Sequence, residues 1–315
     1  MSRKGFHSIA GFSGFARARG VTLVELLVSL VIGLLLVAFV GSAYLVQNAS
    51  GRTMDESARL QETARIAINV LERVIRHAGF VEYGQGQAPQ NFCGTGATTT
   101  DDSAGAPPIQ GPFIEGRSGG GHFANSDRLI LRFYGSGAAT QADGDGAIRD
   151  CRGVSVPGQA VGSNAVNWFF VANDADGEPA LFCGVKGPGI VGQAVQALIP
   201  GVESFQVLFL EAPAGSNAPR RLLSANEVTD WRRIVAVRLS LMIRGDVGSR
   251  SDLDTGPSPA QTYYDMFDPH YTVYATADAG RTFDPNFLSD SQRRRLRRAF
   301  TTTIELRNST AAVCT

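Results

Sequence analysis

The sequence has few of the residues that catalytic and nucleic-acid-binding centres need. Its 315 residues carry 29 basic and 29 acidic side chains, so no positive balance favours nucleic acid, and no specific nucleic-acid partner is predicted. Neither a His-Glu-x-x-His pair nor a Walker-type phosphate loop occurs, and the four histidines are scattered. The sequence therefore gives no positive indication of an enzyme, and we predict no catalytic residue and no cofactor.

One long stretch of the chain has no charge at all. Residues 26–46 contain only apolar, small and hydroxyl-bearing side chains. At 1.5 Å rise per residue, about 21 helical residues match the roughly 30 Å hydrocarbon layer of a bilayer. A secretory signal has a shorter apolar region followed by its small cleavage residue, whereas here the small Gly20 comes first. We therefore predict a transmembrane helix over residues 21–46.

The segment before this helix carries positive charge and no acid. Its basic residues are Arg3, Lys4, Arg17 and Arg19. Because Lys and Arg are enriched on the cytoplasmic side of membrane helices, residues 1–20 are expected in the cytoplasm and the chain after residue 46 outside it. Cleavage after Gly20 would leave 25 basic and 29 acidic residues, so the remaining chain would have a net charge of −4.

Glu25 is the single carboxylate at the entrance of the apolar helix. An ionisable group within a membrane helix is costly and suggests a functional site. If the chain is cut after Gly20, Val21 gains a free amine four residues before Glu25. That amine, from the same chain or a neighbour, could neutralise Glu25. The alternative is a carboxylate that is stabilised by the helix dipole and the headgroups.

The stretch "GVTLVELLV", residues 20–28, resembles the class III signal of type IV prepilins and type II secretion pseudopilins. The resemblance implies that a prepilin peptidase cuts after Gly20 and N-methylates Val21. It also implies that Glu25 guides the subunit into a growing filament. The family more often has Phe or Met at the first mature position, so Val21 departs from its pattern.

Residues 47–79 are predicted to continue the helix as an amphipathic segment. Ala64, Ala67, Leu71 and Val74 belong to one apolar stripe, and Gly79 is a natural residue to end it. The stretch "RLQETARIAINVLERVIRHAGF" is similar to the helix end of PilW-type minor pilins. The later "RRAFTTTIELRN" is similar to the closing strand of PilW-type and J-type pseudopilin subunits.

Residues 80–315 are predicted to form a periplasmic β domain with insertions. Residues 84–126 are expected to be a long loop. Apolar runs predict strands at 128–134, 166–172, 179–185, 204–210, 234–243 and 300–307. The alternation in 234–243 predicts one covered and one wet sheet face. Together these elements predict an α+β fold, with the long helix packed on an antiparallel sheet. The resemblance implies that this fold is type IV pilin-like.

Residues 290–298, "DSQRRRLRR", are predicted as a short basic helix within the insertion. Its arginines could contact DNA or an acidic partner. A solvated helix face is the preferred interpretation, because the mature chain is negatively charged.

Four cysteines lie beyond the membrane helix: Cys93, Cys151, Cys183 and Cys314. In an oxidising periplasm they predict two disulfides with three possible connectivities. Metal binding is less favoured, because no pair has the close Cys-x-x-Cys spacing.

Two Asp-rich loops are weak calcium candidates. Asp143 and Asp145 lie in the first loop, and Asp174 and Asp176 lie in the second. Neither loop completes an EF-hand pattern. The Asp176-Gly177 pair between two apolar runs predicts a hairpin turn without any metal.

The resemblance implies a minor pilin of the type IV pilus, anchored by a single helix in the inner membrane and then built into the filament, near its tip, where it primes assembly. Its expected partners are prepilin peptidase, other minor pilins, the major pilin and a tip adhesin. One alternative is a J-like pseudopilin of a type II secretion system. A membrane-anchored periplasmic enzyme or adhesin is a second alternative, and it needs neither Gly20 nor Glu25.

Overall fold

The computed structural model describes residues 20–82, 94–98, 101–102, 105–119, 125–138, 143–158, 164–213, 218, 221–246, 264–269, 271, 278, 280–284 and 295–308. The chain divides into two compact units, Met1–Gly51 and Arg52–Thr315. The predicted leader up to residue 19, Cys93 and Cys314 lie outside the described residues.

A single long helix, α1 (Leu23–Ile75), begins in the first unit and ends in the second. Within the first unit, Leu23–Asn48 is long and apolar enough to cross a membrane, and none of it is buried within the protein. The span predicted from the sequence, residues 21–46, overlaps this segment closely. The apolar side chains that would meet lipid or other helices are therefore all available at its surface.

In the second unit, α1 buries the apolar stripe that the periodicity predicted. The fully or nearly fully buried members are Leu60, Ala64, Ala67, Leu71, Val74, Ile75 and Ala78. A turn after Ile75 ends at Gly79, where φ is +72° and a Cβ would lie 2.6 Å from the Asn308 carbonyl oxygen. The Gly79 N–H donates to the Arg132 carbonyl at 2.9 Å. Glycine thus both ends the helix and turns the chain onto the sheet.

Five antiparallel strands form the first sheet, in the spatial order β1-β2-β3-β4-β5. They are β1 (Ile114–Arg117), β2 (Arg128–Phe133), β3 (Ala165–Asn173), β4 (Pro179–Lys186) and β5 (Ala194–Pro200). The predicted strands at 128–134, 166–172 and 179–185 are confirmed. β1 corrects the prediction of a continuous loop over residues 84–126, and β5 was not predicted.

The second sheet has four antiparallel strands in the order β11-β8-β6-β7. They are β6 (Val202–Glu211), β7 (Arg221–Leu223), β8 (Ile234–Arg244) and β11 (Arg297–Glu305). A small separate ribbon pairs β9 (Tyr264–Asp265) with β10 (Thr282–Phe283). Gly201, at φ +78°, carries the chain directly from β5 of one sheet into β6 of the other.

One hydrophobic cluster joins α1 and both larger sheets. It contains Leu71 of α1, Phe169 and Leu181 of the first sheet, and Phe205 and Leu239 of the second. All five are almost completely buried. The predicted α+β class is therefore confirmed, with the second half of α1 packed on antiparallel strands.

Two predictions about the second sheet are wrong. The alternate face of β8 is not wet, because Ser240 and Met242 are fully buried and Met242 packs against Met266 and Phe283 from the ribbon region. The basic segment does not end as a helix, since Arg297 opens strand β11. Periodicity alone could not show that a distant segment folds back over β8.

Candidate functional site

The N-terminus of α1 is a capped helix start. Thr22 precedes the first helical residue, and its Oγ1 accepts the Glu25 N–H at 3.2 Å, while its carbonyl accepts the Leu26 N–H at 3.1 Å. Glu25 therefore occupies the first turn, where the helix dipole favours a carboxylate. Its side chain is exposed, and among the described residues no Arg or Lys pairs with it.

Gly20 and Val21 lie outside the helix and are exposed. A Cβ built on Gly20 meets no atom within 4 Å. The bond between Gly20 and Val21 is thus in non-helical backbone, which is the form that a protease active site requires. Glu25 follows this bond within the same short segment of sequence, and the roles of Gly20, Val21 and Glu25 stay predictions.

Downstream of Glu25, α1 exposes apolar side chains on every face. Those that are at least half exposed include Leu26, Leu27, Val28, Leu30, Val31, Ile32, Leu34, Leu35, Leu36, Val37, Phe39, Val40, Tyr44, Leu45 and Val46. A helix that is apolar all round is stable only in a membrane or within a bundle of similar helices. The apolar segment therefore requires an apolar environment that the described residues do not provide.

One disulfide holds a loop onto the first sheet. Cys151 is bonded to Cys183 of β4, with the two Cα atoms 6.3 Å apart and a sequence separation of 32. Both cysteines are buried, and the Cys151 N–H donates to Asn167 Oδ1 at 2.8 Å. The structure selects this pairing from the connectivities that the sequence left open, and no pairing is described for Cys93 and Cys314.

The Asp174 loop is a hairpin turn, as predicted. Asp174 Oδ1 accepts the N–H groups of Asp176 and Glu178, both at 2.9 Å, and Gly177 has φ +78°. β3 and β4 continue from it in register. Among residues with described positions, no group of three His, Cys, Asp or Glu side chains could hold a metal ion. The turn thus has a structural explanation without calcium, and calcium binding stays an untested prediction.

The Asp145 loop also makes its own contacts. Asp145 Oδ1 accepts the Ser136 hydroxyl at 2.5 Å and the Ala147 N–H at 2.9 Å. The Ser136 hydrogen bond lowers the pKa of Asp145. Asp143 is exposed nearby and also lines a cleft beside Asp150. These bonds order the loop that precedes the disulfide.

Five alternating charges lie where β4, β6, β8 and β11 approach one another. Glu203 is fully buried and accepts Arg297 through Nε at 2.5 Å and Nη2 at 2.9 Å, and Arg244 Nη1 at 3.2 Å. Glu178 pairs with Arg244 and accepts Arg295 at 2.9 and 3.2 Å. Burial raises the pKa of Glu203 against the opposing effect of Arg297, and burial lowers the pKa of Arg244 to about 10.

This network was missed because Arg295 and Arg297 were assigned to a solvated helix face. The signal that could have found it is the glutamate at 203, which directly follows an apolar run and begins a buried strand. A carboxylate in such a position needs a buried cation. The network closes one end of the second sheet and serves stability.

A second buried ion pair lies beneath the loop before β1. Arg132 and Glu115 are both fully buried and meet at 3.0 Å, and Thr98 donates to the other Glu115 oxygen at 2.5 Å. Arg128 pairs with Asp101 at 2.6 Å. These contacts fasten the loop to the outer face of the first sheet.

One short motif has the residue pattern that surrounds the catalytic serine of some hydrolases. Residues 116–120 read Gly-Arg-Ser-Gly-Gly, the spacing of a nucleophile elbow. An elbow requires a strand that turns into a helix, with a histidine within hydrogen-bond reach. Ser118 instead follows the four-residue antiparallel β1, and residues 120–124 lie outside the described part of the chain. The described geometry around Ser118 therefore does not support an elbow.

Comparisons with known proteins agree with the helix start and the sheet region. The family described as Prokaryotic N-terminal methylation motif matches residues 15–41, and the family Type IV Pilus-assembly protein W matches residues 168–308. A solved type IV-like pilin from Thermus thermophilus is 16% identical, with 80% of this chain and 98% of that chain covered and a TM-score of 0.41. No curated protein matches the chain.

These features define a type IV pilin-like protein. Its long helix begins at a capped residue within the methylation motif, is apolar in its first half, and packs on antiparallel sheets through its amphipathic second half. The match to residues 168–308 covers β3 to β11 with the buried Glu203 network. Within this class, residues 168–308 are similar to the PilW family of the type IV pilus, and residues 15–41 carry the methylation motif.

Proposed function

We propose that this chain is cut after Gly20 by prepilin peptidase, N-methylated on Val21 and built into the type IV pilus, where it primes assembly at the tip. The observation that carries the proposal is the helix start: an exposed, non-helical Gly20–Val21 bond is followed within one turn by Glu25, and then by a helix that is apolar all round.

The proposal gives the apolar helix two environments. Before assembly, Leu23–Asn48 lies in the inner membrane, with residues 1–20 in the cytoplasm and residues 80–315 in the periplasm. After assembly, the same side chains pack against helices of neighbouring subunits in the filament. Both environments remove the exposed apolar surface from water.

Glu25 supplies the register between subunits. A carboxylate in an apolar helix bundle is costly unless a cation meets it. In this proposal the matching charge comes from another chain, and the absence of a described Arg or Lys partner for Glu25 is compatible with it. The methylated amine of Val21 on a neighbouring subunit is a cation at the right end of the helix.

The remaining partners follow from a place at the filament tip. Other minor pilins and the major pilin contact the chain within the filament, and a tip adhesin is expected on its exposed side. The role is structural, so no catalytic step is assigned. Immunogold labelling of sheared filaments should place the chain at one end only, and label along the whole filament length would contradict the tip location.

Intact-mass analysis of the membrane-extracted protein tests processing. With active prepilin peptidase, the mass should correspond to a chain that starts at Val21 with one methyl group; without the peptidase, residues 1–20 should remain. Glu25→Ala should be cut normally but be absent from sheared filaments. An uncut chain in the presence of the peptidase would overturn the proposal.

A further inference from the structure

Strand β5 forms an open edge of the first sheet. In the described part of the chain it pairs with β4 alone, and Val195, Gln196 and Ala197 are exposed on it. The loop before it also projects apolar surface, since Val191 is completely exposed. The outward backbone N–H and C=O groups of such a strand are available to another strand.

This edge has none of the usual protection by charge. No charged residue occurs between Lys186 and Glu203, so the loop before β5 and all of β5 are neutral. Natural sheets normally guard an exposed edge with Lys, other charges or a covering element. An uncharged edge of this length is either an aggregation hazard or a binding surface.

The other sheet edges are protected. β1 lies against the two 3-10 turns Ala225–Glu227 and Trp231–Arg233. β7 is only three residues long and begins with a charged Arg221. β11 carries exposed charge at Arg298 and Glu305. Among the described parts of the two large sheets, β5 is therefore the edge strand that lacks such protection.

An apolar patch continues from the β5 edge onto the outer sheet face. Ala197 is opposite Phe182, which stacks on Phe170 at 5.6 Å between ring centroids. Val195 is opposite Gly184, where a Cβ would overlap the Trp168 indole. Phe170 and Phe182 are only partly buried. A strand added beside β5 could cover this patch with its own apolar side chains.

The register defines how much of the edge is available. Pairing between β4 and β5 is regular from Ala194 to Ala197 and shifts next to Leu198, before the buried Ile199. A bulge of this kind bends an edge and ends regular pairing. The usable segment is therefore Ala194–Ala197, which suits a short strand rather than a second whole sheet.

We propose that the β5 edge binds an extended, uncharged segment of a different pilus subunit by β-strand addition, with apolar side chains at alternate positions. The inference rests on the proposed incorporation into the filament. A different subunit is chosen over a second copy because the proposed function places this chain among other minor pilins and the major pilin. Because neither β5 nor the added segment carries a charged residue, no unpaired charge is buried at the new interface.

Gatekeeper substitutions test the proposal in the full-length chain. Val195→Lys and Ala197→Lys place a charge on the edge, while Thr303→Lys places the same charge on an exposed position of the other long edge strand, β11. We expect the two β5 variants to be about tenfold depleted in sheared filaments, and the control to be incorporated like the wild type. Protease resistance of the membrane-bound protein checks that each variant folds.

A photo-crosslinking residue at position 196 then identifies the occupant in filaments. We expect a crosslinked peptide from another pilus subunit that is free of charge and alternates apolar side chains. Normal incorporation of folded β5 variants would overturn the proposal, and so would a crosslink to a second copy of this chain. If the wild type itself is absent from filaments, the proposed function fails instead, so the two failures are distinguishable.

Discussion

Glu25 and Glu203 show how the two units treat a carboxylate in apolar surroundings. Glu203 is fully buried, and its own chain supplies Arg244 and Arg297 as partners. Glu25 begins an apolar helix, and no described Arg or Lys of the same chain pairs with it. Glu203 is thus satisfied within its own chain, whereas the proposed function assigns the partner of Glu25 to another molecule. On that proposal, Glu25 is the carboxylate that guides assembly.

The largest effect is expected from breaking the internal pairing. Glu203→Gln removes the buried carboxylate that faces both Arg297 and Arg244, so unfolding should become easier by about 3–5 kcal/mol. The two tryptophans, Trp168 and Trp231, are both buried, so their fluorescence reports denaturant unfolding of the full chain in detergent. Glu25→Gln should leave this unfolding curve unchanged. If Glu203→Gln changed the free energy of unfolding only slightly, the stabilising role assigned to the internal pairing of Glu203 would be wrong.

Loss of the disulfide is expected to have the second-largest effect on the free energy of unfolding. A Cys151→Ala, Cys183→Ala chain frees a loop of 32 residues and should lose about 3–4 kcal/mol on a chain-entropy estimate. The loss should appear in the same tryptophan signal, and cleavage after Gly20 should be unaffected. An unchanged midpoint would mean that the loop is held by its other contacts.

A moderate pH dependence is expected from His77. Burial lowers its pKa, and Arg73 and Arg307 act in the same direction. Because the folded-state pKa is depressed, this stabilisation is complete above the ordinary histidine value of about 6.5 and is lost as pH falls through the folded-state pKa. The denaturation midpoint should therefore fall on acidification. His77→Gln should reduce this slope, and an equal slope in the variant would assign it to other groups.

The smallest effect is expected at an exposed ion pair. Arg59 and Asp246 meet at 3.3 Å, but their side chains are 72% and 82% exposed. Arg59→Ala should therefore change the unfolding free energy by less than about 0.5 kcal/mol. A loss comparable with that of Glu203→Gln would show that burial does not separate these pairs.

Local patterns predicted the elements that depend on neighbouring residues. The apolar stripe from Ala64 to Ala78 and the turn at Asp176-Gly177 were both confirmed. β5 was not predicted, although Gly192 and Pro200-Gly201 bracket it, because its residues show no regular alternation of apolar and polar side chains. The Glu203 network escaped notice because Glu178, Glu203, Arg244 and Arg297 are far apart in sequence.

The sequence by itself determined the apolar helix, the Gly20–Glu25 signal and the α+β class, because each depends on the spacing or periodicity of residues that are close together in the sequence. The tertiary structure alone decided that Cys151 pairs with Cys183, that the far face of β8 is covered, and that β5 is left as an open edge. The physical reason is that these features depend on contacts between distant segments, and a short window of sequence contains no record of them.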